Sequence, residues 1–142
     1  NKKFEVITML HVLEHLKKPE LVLKKIKNNL AKDGLLVIEL PLVGNLTEKV
    51  LQKDYFAYDD KTHLHYFSKD QILALLKKTG WKIVKKETVF LAFPLTIITR
   101  SFKKGLLFSF KGLILFLPLK ILTLIGLNDE VTRVYCRPQN SG

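Results

Sequence analysis

Several things are scarce in this sequence, and each scarcity excludes something. It holds one cysteine, Cys136, in 142 residues. No disulfide can form within the chain, and the thiol sits in an apolar, β-branched run, so a reduced, cytosolic setting is the expectation. Arginine is rare, with three against twenty-one lysines. Nucleic-acid readout leans on arginine for bidentate contacts, and no arginine-aromatic interleaving occurs, so no nucleic-acid partner is expected. The seven glycines are scattered and no GxGxG occurs. Asn1-Lys2-Lys3 runs straight into a strand-like segment without the apolar stretch of a signal peptide. An opening on Asn without Met reads as part of something longer. Finally, residues 89–128 contain no Asp or Glu at all.

What is present describes a chain that packs. Hydrophobic residues make up 47% and charged residues 26%, outside the composition of disordered chains and enough for one core. The net charge of +11 fits either an anionic partner, such as a lipid headgroup or phosphorylated substrate, or a lysine-rich solvated face.

Phe4 to Leu10 is an apolar, β-rich run bounded by lysine, as in a buried strand. Pro19 suits a first helical turn, and Val22, Leu23, Ile26 and Leu30 recur at helical spacing opposite Lys24, Lys25 and Lys27. Asp33-Gly34 then ends that helix, and Leu35 to Leu40 has the near-continuous apolar character of a central parallel strand. Pro41 is expected to break the strand. A long functional loop follows to His65, with a short helix around Leu46 to Lys53. Ser68 and Gln71 form a capping box for a helix ending at Gly80, and Trp81 to Glu87 reads as a strand. Val131 to Arg137 reads as the last strand. Strand, helix, strand, loop, helix, strand is the order of an α/β sheet with crossover helices.

The segments "MLHVLEHL", "KKPE", "LAKDGLLVIELP" and "HLHYFSKDQILALLKKTGW", in that order and spacing, resemble the C-terminal part of a class I S-adenosylmethionine-dependent methyltransferase domain. The subfamily is one with a His-containing loop ahead of the capped helix. The resemblance implies a Rossmann-like sheet of order 3-2-1-4-5-7-6, of which this chain supplies strands 4-5-7-6. A hydrophobic helical insertion precedes the last strand. Residues 1–88 are then the C-terminal half of the domain, 89–128 a basic hydrophobic insertion, and 129–142 the closing strand and tail. The glycine-rich turn and the acidic ribose ligand would lie in the N-terminal half, so the fragment alone is expected to be inactive.

On this resemblance Leu10, His11 and Val12, just beyond the first strand, line the S-adenosylmethionine pocket, with Glu14 and His15 beside them. If the segment turns helical, His11, Glu14 and His15 share one side. Glu14 and His15 alternatively do no more than fix the turn. Some relatives carry Glu-x-x-Glu-His here and bind a divalent metal. His11 replaces the first Glu, which weakens a site for a hard, oxygen-seeking cation, so no metal is expected.

The second constellation is His63, His65 and Tyr66 in "THLHYFS". An extended stretch would put both histidines on one side. Methyl transfer to oxygen or nitrogen often needs a base, which suits histidine; His63 is the expected base, with His65 and Tyr66 orienting a small-molecule acceptor. A loop histidine satisfying backbone groups is the bland alternative. Tyr55, Phe56 and Tyr58 form either an aromatic wall for the acceptor or the loop's own core.

Gly105 to Leu127 has the length of a membrane span but contains Lys111, Lys120 and Pro118. Two shorter interfacial helices on an anionic membrane fit better, giving a cytoplasmic protein peripheral to the inner membrane face. A lid or a homodimer surface is the alternative. The function expected is methyl transfer from S-adenosylmethionine to oxygen or nitrogen of a small molecule, such as a sugar or lipid-linked intermediate. Its rival is a non-catalytic basic module that binds membrane or protein.

Overall fold

The computed structural model describes residues 2–89, 114 and 117–139. Strand β1 (Phe4–Leu10) leads through a single 3-10 turn (Leu13–His15) to helix α1 (Pro19–Ile26), then to the long strand β2 (Leu30–Val43). Helix α2 (Leu46–Leu51), the two-residue strand β3 (Phe67–Ser68), helix α3 (Lys69–Lys78) and strand β4 (Trp81–Thr88) follow. A helix α4 (117–124) precedes strand β5 (Val131–Pro138). The sheet order is β1-β2-β5-β4, with β3 pairing β2. β1 and β2 are parallel, while β5 runs antiparallel to both of its neighbours. This is the mixed α/β half-sheet expected from the sequence, with the last strand inserted between the second and the fourth.

Local chemistry explains most elements. Pro19 opens α1, and Leu23 on its inner face is fully buried. Both halves of the Ser68–Gln71 capping box are formed at α3. Gly80 turns the chain into β4 at φ +77°, where a side chain would be strained. Leu36, Ile38 and Leu40 of β2 join Leu13, Leu23, Ile72, Leu76, Trp81 and Val134 in one core. The Trp81 indole donates to the Leu23 carbonyl at 3.2 Å. Cys136 is buried in the same core, which pushes its thiol pKa up to about 12 and makes it inert.

Two boundaries differ from expectation. The helix stops at Ile26, a 3-10 turn (Lys27–Asn29) follows, and Leu30 already belongs to β2. Gly34 is a close-approach residue rather than a helix stop, since a Cβ there would lie 3.1 Å from the carbonyl oxygens of Ala31 and Phe4. It sits where the β1–β2 register jumps from Phe4↔Leu30 to Val6↔Leu35. Pro41 does not break β2, which continues to Val43. The Leu42 amide donates to Glu130 on the β5 side. The adjoining position 41 therefore points its missing donor to the other side, where the β1 ladder has already ended at Leu10↔Glu39.

Most of the expected insertion lies outside the described residues, and so does its pair of interfacial helices except for α4. Lys120 on α4 turns inward: it is 4% exposed and its ammonium binds Glu130 Oε2 at 2.5 Å. It is therefore not a lysine reaching outward to headgroups. Asn128 closes the same cluster, accepting from the Leu46 amide at 2.9 Å and donating to Thr47 Oγ1 at 2.7 Å. Among the described residues no helix is long and apolar enough to cross a membrane.

Candidate active site

The polar residues singled out in the sequence gather beyond the carboxyl ends of β1 and β2, where an open α/β sheet leaves room for ligands. His11 takes φ +52°, which a non-glycine residue adopts only when its surroundings enforce it. Its amide donates to the Glu39 carbonyl at 2.8 Å. Its ring lies between two carboxylates, Nε2 being 3.3 Å from Glu39 and Nδ1 3.5 Å from Glu14. The Glu14 carboxylate, aided by Glu39 and opposed by burial, raises the His11 pKa above its ordinary value. Glu39 is fixed in turn by Arg133 of β5, whose Nε donates to Oε2 at 2.7 Å. Leu10 and Val12 flank His11 with exposed apolar side chains.

The 3-10 turn makes Leu13 and Glu14 buried residues. Glu14 is 1% exposed, and neither carboxylate oxygen has a hydrogen-bond partner. The 3.5 Å approach of His11 is an electrostatic contact without hydrogen-bond geometry. A buried carboxylate left this way is costly and calls for an explanation.

The histidine loop is stitched onto the same turn, because the amides of Leu64 and His65 both donate to the Glu14 carbonyl, at 2.9 and 3.1 Å. This brings His63 against His15, with ring centroids 4.7 Å apart. His63 Nδ1 donates to the Ala57 carbonyl at 2.7 Å, which leaves the lone pair on Nε2. His15 Nδ1 donates to the Thr62 carbonyl at 3.1 Å and approaches Thr62 Oγ1 at 2.9 Å. The Thr62 hydroxyl hydrogen goes to Asp60, so His15 also keeps its lone pair on Nε2. One ligand atom from each of Glu14, His15 and His63 lies within 4.8 Å of the other two.

His63 and His65 face different surroundings, because His63 closes a turn onto Asp60 and the stretch is not extended there. His65 Nε2 donates to the Leu16 carbonyl at 3.0 Å, and its ring stacks on Phe67. It borders an open cavity of about 740 Å³ lined by Lys17, Lys18, His65, Tyr66, Phe67 and Gln71. Tyr66 bridges the two sides, 6.1 Å from the His63 ring and 5.0 Å from Tyr58. Tyr58 donates to Glu48 Oε1 at 2.9 Å. Tyr55 instead belongs to the core: its hydroxyl donates to the Leu42 carbonyl at 2.7 Å, and burial raises its pKa. Of the upstream aromatics, Tyr58 faces the site and Tyr55 holds the loop.

The sequence pattern leads to His11, Glu14, His15, His63, His65 and Tyr66 but passes over Thr62, Glu39 and Arg133. The one signal for the last two is a lone acid in "LLVIELP" and the first of two arginines in "VTRVYCR", each inside a largely apolar strand.

Known proteins agree with this architecture. A family model described as "Methyltransferase domain" matches residues 1–86. A SAM-dependent methyltransferase from Archaeoglobus fulgidus superposes with a TM-score of 0.58 at 17% identity, covering 96% of this chain and 60% of that one. The magnesium protoporphyrin IX methyltransferase of Synechocystis PCC 6803, solved with bound SAH, gives 0.53 at 11% identity, over 99% of this chain and 47% of that one. A cyclopropane synthase from Mycobacterium tuberculosis gives 0.55 at 12% identity, over 96% and 56%. At such identities the likeness is one of fold. The chain spans about half to three fifths of the length of these structures. No curated protein matches it.

Proposed function

Since the chain belongs to the methyltransferase-domain family, we propose that it forms the acceptor side of a site transferring a methyl group from S-adenosylmethionine to oxygen or nitrogen of a small molecule. The cofactor, when bound, supplies an electrophilic methyl group on a sulfonium. Leu10 and Val12, exposed and apolar around the polar His11, suit one edge of such a nucleoside. Arg133 and Glu39 hold the His11 ring in place there.

The observation that carries this reading is the docking of the His63 loop on Glu14, with His63 Nδ1 held by the Ala57 carbonyl so that Nε2 is the nitrogen left to face an acceptor. His63 takes up the acceptor's proton as the new bond to carbon forms. Tyr66 and Tyr58 present ring faces to the acceptor, and His65 borders its path with Lys17 and Lys18. In the full-length protein His63→Ala is expected to lower kcat about 100-fold or more with cofactor affinity unchanged. Wild-type turnover in that variant would reduce His63 to a loop residue.

The same reading places the protein at the cytoplasmic face of an anionic membrane, as the presenting surface for a lipid-linked acceptor. Support comes from α4 and the turn after it, where Leu117, Ile121, Leu124, Ile125 and Leu127 are exposed while Lys120 is turned away. The sequence of residues 89–128 holds five cations and no acid, a composition suited to an anionic surface. The full-length protein is expected to cosediment with acidic liposomes at low salt and not with neutral ones. Failure to sediment would favour a lid or a homodimer surface.

A further inference from the structure

We propose that the cavity beside His65 and Tyr66 is a subsite for a phosphate group carried by the methyl acceptor, which makes the substrate a phosphate monoester. The cavity measures about 740 Å³, the size of a small-molecule site, and opens where the first turns of α1 and α3 meet the histidine loop. Its polar lining has donors to spare and few acceptors. Lys17 and Lys18 make no ion pair among the described residues. Glu20, the one acid on the wall, is already bound by Lys24 at 3.3 Å and Lys78 at 3.5 Å. The Gln71 side chain is fixed by the capping box, where its Oε1 accepts from the Ser68 amide at 2.8 Å. Its NH2 end is thereby left without a partner among the described residues. His65, tied through Nε2 to the Leu16 carbonyl at 3.0 Å, is a fixed part of the wall.

Two ammonium groups and an amide NH2, drawn from the loop ahead of α1 and from α3, therefore line one cavity with no protein acceptor to answer them. No side chain caps α1, so the positive end of its backbone dipole adds to the same sign. Donors arriving from separate segments match the tetrahedral oxygens of a phosphate better than the planar pair of a carboxylate. The rest of the wall, from Leu21, Phe67 and Leu75, is apolar and suits the body of the ligand. Tyr66 joins this cavity to the histidine site, its ring 6.1 Å from that of His63, so an acceptor lying across Tyr66 reaches both. The inference rests on the acceptor-side reading above and adds the feature by which the site selects its substrate: an unphosphorylated analogue leaves the donors unpaired and is rejected.

The test is calorimetric titration of phenyl phosphate, phenol and benzoate into full-length protein saturated with S-adenosylhomocysteine, which keeps the cofactor pocket filled. Phenyl phosphate is expected to bind once per chain with a Kd of about 1 mM or tighter, benzoate about tenfold more weakly and phenol not measurably. Lys17 and Lys18 are exposed, so the Lys17→Gln, Lys18→Gln double variant should fold, bind S-adenosylhomocysteine as wild type does, and lose about tenfold or more in phenyl phosphate affinity. A Lys32→Gln, Lys82→Gln variant, with the same change of charge near the amino ends of β2 and β4, should bind phenyl phosphate normally. Equal binding of benzoate or phenol, or an undiminished affinity in the Lys17, Lys18 variant, overturns the subsite. So does a Lys17, Lys18 variant that loses only its sedimentation with acidic liposomes, which would make these lysines a membrane contact. Because the readout is binding, wild-type turnover in His63→Ala would remove the acceptor-side reading without altering these titrations, and failed titrations would leave His63 in its role.

Discussion

Two buried polar clusters hold loops onto this sheet, and they are finished differently. Around Asn128, every buried polar group meets a partner: Lys120 and Glu130 pair, Thr47 donates to Glu130 at 2.6 Å, and Asn128 bonds Leu46, Thr47 and Thr123. Around Glu14 the backbone is equally well tied, yet the carboxylate itself makes no hydrogen bond and has only the His11 ring beside it. A satisfied network fixes a loop and makes no further demand on its surroundings. A buried carboxylate that has only the His11 ring at 3.5 Å and no hydrogen bond costs stability. The first cluster is complete in itself, and the second leaves a buried carboxylate with no hydrogen bond.

Breaking the satisfied cluster should have the larger effect. Lys120→Met strips Glu130 of its buried counter-ion and is expected to cost about 3 kcal/mol of unfolding free energy, since removing one partner of a buried pair leaves an uncompensated charge. Chemical denaturation measures it, and a change below about 0.5 kcal/mol would mean that α4 does not depend on this pair. The unsatisfied cluster should respond with the opposite sign. Glu14→Gln removes a buried carboxylate that makes no hydrogen bond and is expected to leave stability unchanged or raise it by about 1 kcal/mol. A loss of several kcal/mol would show that the His11 contact is a structural bond and that the two clusters are alike.

The smallest effect belongs to Asp129, at the edge of the satisfied cluster. Burial pushes its pKa up, but the Lys69 ammonium and the Thr88 hydroxyl outweigh it and hold the carboxyl below its ordinary value. A depressed folded pKa gives stability that is present above the unfolded value and lost as pH falls through the folded one. Asp129→Asn should therefore be less stable than wild type at neutral pH, with the gap closing in acid below the usual carboxylate range. Thermal melts across that window check it, and a gap independent of pH would assign the effect to packing.

The strands and the capped helix were legible because their causes are local. Alternation and apolar runs mark β1, β4 and β5, and a hydroxyl three residues ahead of Gln71 marks the start of α3. The chemistry-bearing types were legible too, since His, Glu and Tyr at the ends of strands have few other uses there. Pro41 misled because its cost depends on which side of the ladder it faces, and that is set by where β1 stops.

By itself, then, the sequence determined an α/β half-sheet and the family resemblance, and that resemblance singled out six polar residues as candidates. Tertiary structure alone decided that His63 joins Glu14 and His15 while His65 turns to Leu16 and Phe67, that Lys120 points inward, and that Arg133 steadies Glu39. Apart from the local stack of His65 on Phe67, these contacts join residues 10 to 94 positions apart. Side-chain direction at such separations is fixed by which backbone groups are left to bond after the sheet has formed, and no local pattern encodes that.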